Sequence, residues 1–234
     1  MSETTIGIMQ PYFLPYIGYW QLINAVDKYV IYDDANYIKR GWINRNYILL
    51  NKQKHLFTLC LCKASQNKKI NEITVLADQA KLVRTFEAAY KKAPFFDVVA
   101  EMVFALLEYN DKNLAKLVGN SIIQIAEYLN METEFVYSSE LDKRREPPLK
   151  GQGRIIHICE ALRATKYYNS MGGRDLYDKE KFGSHNIKLN FLKAQPVEYK
   201  QFNNPFVPGL SILDTLMFNS VDEVKKYLNM YNLE

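Results

Sequence analysis

Cysteine and histidine are scarce in this chain of 234 residues, three of each. Cys60, Cys62 and Cys159 are too few and too scattered for a disulfide framework. His55, His157 and His185 never fall at metal-ligand spacing, which argues against a zinc site. Cys60 and Cys62 alternate in the strand-like run LFTLCLC, so we expect two packing groups on one face. No apolar run reaches the roughly 18 residues that span a bilayer. The opening MSETTIGIMQPYF has no basic region followed by an apolar one, so we expect no secretory leader and a reduced, cytoplasmic setting. Excess charge is also missing. With 30 Lys and Arg against 26 Asp and Glu, the net +4 permits an anionic ligand but is too weak and too spread out to point to nucleic acid.

What is abundant is aromatic: 17 Tyr and 12 Phe, against only 10 Gly. Hydrophobic residues at 48% and charged residues at 24% describe a globular chain, long enough for a real core. Residues 4–9 read as a buried strand, 17–25 as a helix and 28–32 as a second strand, the size of a βαβ unit with a parallel pair. Residues 45–50 and 54–62 read as a hairpin, and 78–92, 97–109 and 112–130 as helices. Strands at 134–138, 166–169 and 187–192 alternate with helices at 153–164 and 175–183, and two helices, 211–218 and 221–230, close the chain. The segment 142–151 reads as an exposed loop. We therefore expect an α/β fold, a Rossmann-like parallel sheet with an added helical subdomain. Residues 1–77 and 132–234 would build the core, with 78–131 inserted or packed on one side.

Four segments carry candidate chemistry. Gln10 to Tyr19, QPYFLPYIGY, lies between a strand end and a helix start, where open α/β sheets bind ligands. Pro11 and Pro15 stiffen it, Gly18 lets backbone approach a ligand, and the following helix offers amides to an anion. A hydrophobic loop capping the sheet is the plainer alternative, but Tyr12, Tyr16 and Tyr19 cannot all be buried without partners. Asp33 and Asp34 end the next strand and should share that edge, able to hold a sugar hydroxyl or a divalent cation, or simply to form a turn. Lys39, Arg40 and Arg45 could bind phosphate or carboxylate, and Arg45 stands between Asn44 and Asn46 as a donor-rich triplet. Ser170, Gly172 and Gly173 follow a strand, as a phosphate-binding turn or an ordinary one. Finally, Ser211 could cap the helix that follows it, with Asp214 at the third helical position as a capping partner or a ligand contact.

The strings IGIMQPYFLPYIGYWQLI, DKYVIYDD, KRGWINRNYIL, YYNSMGGRDLYDKEKF and FVPGLSILDTLMFN resemble, in order, the WbqC-like family of bacterial proteins. That resemblance implies a link to surface-polysaccharide (O-antigen) gene clusters. It also implies that Gln10, Pro11, Pro15, Gly18, Asp33, Asn44, Arg45, Asn46, Gly172, Gly173 and Asp214 matter. A more distant resemblance places Tyr16-Ile17-Gly18-Tyr19 where nucleotidylyltransferases carry a His-x-Gly-His motif. Tyrosine donates a hydrogen bond but gives no cation near neutral pH, so the fold can carry over without the adenylyl-transfer chemistry.

The expected function is direct group transfer on an anionic small molecule, a nucleotide-sugar or an activated acyl compound. Asp33, Arg45, Tyr16 and Tyr19 would be catalytic; Gln10, Pro11, Pro15, Gly18, Asp34, Lys39, Asn44, Asn46, Ser170, Gly172, Gly173 and Asp214 would bind the ligand. No cofactor is strongly implied, and magnesium would enter only with a nucleotide. A degenerate nucleotidylyltransferase and a non-catalytic binding module are the alternatives, and a homo-oligomer stays open.

Overall fold

A computed structural model describes residues 3–141 and 149–234. The N-terminal unit forms as the sequence predicts. β1 (Thr5–Met9) enters α1 (Ile17–Asn24) and returns as β2 (Lys28–Ile31), paired in parallel with β1 from Ile6–Lys28 to Met9–Ile31. A long excursion follows: the hairpin β3 (Arg45–Leu50) and β4 (Gln53–Thr58), the short pair β5 (Leu61–Cys62) and β6 (Thr74–Val75), then α2 (Ala80–Tyr90), α3 (Phe96–Leu107) and α4 (Leu114–Tyr128). The chain rejoins the sheet as β7 (Glu134–Tyr137). It continues through α5 (Gly151–Ala161), β8 (Lys166–Ser170), a 3-10 turn at Met171–Leu176, α6 (Lys179–Gly183) and β9 (Lys188–Ala194), then α7 (Ile212–Phe218), α8 (Val221–Leu228) and β10 (Tyr231–Leu233).

The six sheet strands stand in the order β7-β2-β1-β8-β9-β10, all parallel except β10. Ranked by position in the chain this is 3-2-1-4-5-6, a doubly wound Rossmann-like α/β sheet. Alternation along β1 sends Ile6 and Ile8 to a core shared with α5 and α6. The opposite core takes α1, the β3–β4 hairpin, α2 to α4, α7 and α8. The stripe Leu114, Leu117, Val118, Ile122, Ile125 and Leu129 is buried throughout, which holds α4 in place. Each such side chain contributes roughly 1.5–3 kcal/mol.

Three local expectations change. The run 54–62 breaks after Thr58, because Leu61–Cys62 leaves β3 to pair with Thr74–Val75. Cys60 and Cys62 are consequently exposed rather than packed, while Cys159 is buried, which pushes its thiol up to about 12. The helix expected at 175–183 is shorter, since Met171–Leu176 winds as a 3-10 turn first. The chain also ends in a strand, β10, beyond the last predicted helix. Residues 142–148 of the expected loop lie outside the described residues.

Candidate functional site

Strand order reverses between β1 and β8: β1 leads on one side to β2, while β7 crosses back to β8 on the other. Beyond the carboxyl ends of those two strands the flanking connections part and leave a crevice. A cavity of about 1120 Å³ occupies it. One wall is the segment after β1, contributing Gln10, Tyr12, Pro15, Tyr16, Gly18 and Tyr19. The facing wall is the end of β8, with Asn169 and Ser170, and the turn after it, with Met171, Gly172 and Gly173. The hairpin side adds Trp42, Asn46, Tyr47 and Lys54, and β9 adds Leu192 and Lys193.

The first wall is a rigid piece of backbone. Leu14 is fully buried and held at φ +49, a conformation that L side chains avoid. Four contacts hold that strain. The Leu14 carbonyl accepts Asn46 Nδ2 (2.9 Å) and Ser211 Oγ (2.7 Å). The Pro15 carbonyl accepts Trp20 Nε1 (3.1 Å) and the Ile212 amide (2.8 Å). Tyr19 is buried and donates its hydroxyl to the Gln10 carbonyl (2.9 Å), and burial raises its ionisation far above the ordinary tyrosine range. Tyr16, the residue before α1, is half exposed at the cavity mouth, its ring lying against Gly18. A Cβ on Gly18 would stand 2.5 Å from that ring, so glycine makes the arrangement possible.

The lining is mostly tyrosine, aliphatic side chains and backbone. Its charged side chains are both cations. Lys54 lies over the Tyr47 ring (6.0 Å), and Lys193 pairs with Glu234 (3.2 Å) on the exposed rim. No carboxylate, histidine or cysteine lines the cavity among the described residues. Nor, among them, does any group of three or more His, Cys, Asp or Glu stand where it could share a metal ion. A planar or apolar group with a negative end fits such walls.

The profile of the WbqC-like protein family matches residues 10–226. The chain belongs to the WbqC-like family. A relative from Mycobacterium tuberculosis (strain ATCC 25618 / H37Rv), the uncharacterized protein Rv1507c, is 31% identical over 231 residues, 95% of this chain and 96% of its own length. No solved structure matches.

In this WbqC-like protein the candidate residues divide into two groups. Gln10, Pro15, Tyr16, Gly18, Tyr19, Asn46, Ser170, Gly172 and Gly173 converge on the cavity. Pro11, Asp33, Asp34, Lys39, Asn44, Arg45 and Asp214 do not line it. Asp33 is 1% exposed and accepts Asn71 Nδ2 (3.2 Å), Ser138 Oγ (3.0 Å) and the Ser139 amide (2.9 Å). It ties the end of β2 to that of β7. Asp34 pairs with Arg154 (3.2 Å) on α5 and accepts Ser138 Oγ as well. Asn44 is buried between Tyr37 Oη and the Leu59 carbonyl, each 2.9 Å away. The guanidinium of Arg45 donates to the Gly41 (2.9 Å) and Arg40 carbonyls and stacks on Trp42 (5.7 Å). Lys39 is exposed and Pro11 buried.

Asp214 is fully buried at the third position of α7, with Ser211 capping that helix through the Leu213 amide (3.1 Å). Instead of closing a capping box, its carboxylate accepts Tyr90 Oη (2.8 Å), Tyr199 Oη (2.8 Å) and Gln201 Nε2 (2.6 Å). Burial raises its pKa despite those three bonds.

Sequence reasoning missed Lys54, Lys193, Asn169 and Arg154. Asn169 falls within the string YYNSMGGRDLYDKEKF, where Ser170 and the two glycines draw the attention; the other three stand in no motif. Lys54 and Lys193 reach the site through hairpin and strand pairings hundreds of ångströms of extended chain apart, which pattern alone does not expose.

Proposed function

We propose that this WbqC-like protein is a transferase of bacterial surface-polysaccharide (O-antigen) biosynthesis. It binds an activated anionic small molecule, a nucleotide-sugar or an acyl donor, in the cavity between β1 and β8. One observation carries the assignment. The cavity sits at the switch point of a doubly wound sheet, and among the described residues its walls combine aromatic rings with two lysines and no carboxylate. Lys54 and Lys193 attract the negative end, while Tyr12, Trp42 and Tyr47 offer faces to a ring or chain. Asp33 and Arg45 serve from outside the lining, fixing the ends of β2 and β7 and the turn that carries Trp42.

The chemistry follows from what the walls lack. Among the described residues the lining holds no thiol or imidazole and only one aliphatic hydroxyl, Ser170, so that lining offers no activated nucleophile. Holding two substrates in contact suits such a site, with proximity supplying the rate gain.

Calorimetric titration with a panel of nucleotide-sugars and acyl thioesters tests this. At least one should bind the native chain, and Lys193→Ala should weaken it about tenfold through loss of a charge-assisted contact. Absence of binding across the panel, or equal affinity for the variant, removes the assignment. A thermal shift with nucleoside triphosphates alone would favour nucleotidyl transfer instead.

A further inference from the structure

Asn169 is the last but one residue of β8 and lies beside β1 at the switch point. It is 6% exposed, yet it lines the cavity. Its Oδ1 accepts the Ser170 amide at 2.8 Å, which fixes the orientation of the side-chain amide. The NH2 end therefore points away from that bond, and among the described residues it has no acceptor. The residue is mostly buried, yet Nδ2 itself keeps access to the cavity, so it stands there as a fixed donor open to a ligand.

The surroundings preserve this arrangement. Gly173 lies directly against Asn169 Nδ2, and a Cβ there would overlap the nitrogen. Gly173 is buried and belongs to the turn Met171–Leu176, so the backbone closes over the amide and leaves its free side to the cavity. In the parallel register Asn169 pairs with Phe191 and Ser170 with Leu192, so Lys193 continues along the same edge. A neutral donor and a cation thus serve one end of a cavity whose lining holds no carboxylate among the described residues.

We propose that Asn169 is a binding residue that donates through Nδ2 to an oxyanion of the ligand, at the β8 end of the cavity. The inference rests on the cavity being the ligand site and adds which atom of the ligand goes where: the oxyanion lies at the β8 turn and the remainder along the aromatic wall. The oxyanion belongs to a phosphoryl group or a carboxylate.

The side-chain amide resonances of the full chain test this, with inorganic pyrophosphate as the phosphoryl probe and malonate as the carboxylate probe. The Asn169 NH2 pair should shift saturably with at least one of them. Asn169→Asp keeps the Oδ1 acceptor for the Ser170 amide and turns the donor into a charge of the wrong sign. It should weaken that probe about tenfold or more. The backbone amide spectrum reports whether the variant is folded, and the wild-type shift stands as a test without it. If neither probe moves the Asn169 pair, or if folded Asn169→Asp binds as tightly as the native chain, the inference fails. A nucleotide-sugar that binds native chain and variant alike overturns Asn169 alone and leaves the cavity assignment intact.

Discussion

Asp214 shows how far a residue's role depends on what folds around it. In the sequence it is an acid near a helix start. In the structure it is a buried carboxylate accepting two tyrosine hydroxyls and one amide. Tyr90 also accepts the Leu49 amide (3.0 Å), so the network links α7 to the hairpin beside the cavity. Asp214→Ala leaves Tyr90 Oη without an acceptor and reduces Tyr199 Oη and Gln201 Nε2 to Thr215 Oγ1 and the Val207 carbonyl, and should lower unfolding free energy by about 2–4 kcal/mol in denaturant titration. The pH dependence has a definite sign. Because the folded pKa lies above the ordinary value of 3.8, the folded state binds more protons between those two values. Asp214's contribution is therefore fullest below the ordinary value and is lost as pH rises through the folded pKa. Asp214→Asn should flatten that part of the stability curve; an unchanged slope would contradict the shift.

The tyrosine excess also resolves residue by residue. Tyr12, Tyr16, Tyr19, Tyr32, Tyr47 and Tyr177 line the cavity. Tyr29 and Tyr167 are core residues whose buried hydroxyls have no partner among the described residues. The clustering visible in QPYFLPYIGY was thus a true pointer to the cavity wall, while the total count mixed site with core.

Elements explain which parts of the architecture were legible. β1, α1 and β2 combine a short apolar run, prolines that stop the strand and a helical stripe within about 30 residues, and local signals of that kind survive folding. β10 has three residues, pairs antiparallel at the sheet edge and carries no pattern that could separate it from a tail. The adjacent acids Asp33 and Asp34 follow β2 at the edge it shares with β1, where the Tyr32 amide bonds the Met9 carbonyl (2.9 Å). Their partners Ser138 and Arg154 come from β7 and α5, more than a hundred residues on, so sequence could not tell a ligand site from a brace. At the start of α1, Gly18→Ala should leave the thermal midpoint unchanged or raise it. A helical Gly-to-Ala change is worth up to about 1 kcal/mol, and Tyr16, being half exposed, can swing aside. The same variant should weaken the nucleotide-sugar or acyl donor found in the titration panel. A drop of several degrees in the midpoint would show that the ring is fixed there.

At the scale of the whole molecule, two hollows compete. One is the switch-point cavity. The other, of about 580 Å³, lies at the opposite end of the sheet, among Asn24, Asp27, Asn130, Glu132 and Lys225. That hollow is polar, carries acids of its own and sits by the amino ends of β2 and β7, among the connections that enter those strands. The order 3-2-1-4-5-6 places the crevice at the other edge. Backbone amide shifts recorded while the panel's tightest binder is added decide between them. The account predicts saturable shifts concentrated at Gln10–Tyr19, Asn169–Gly173 and Leu192–Ala194. Shifts gathered instead at Asn24–Asp27 and Asn130–Thr133 would contradict it.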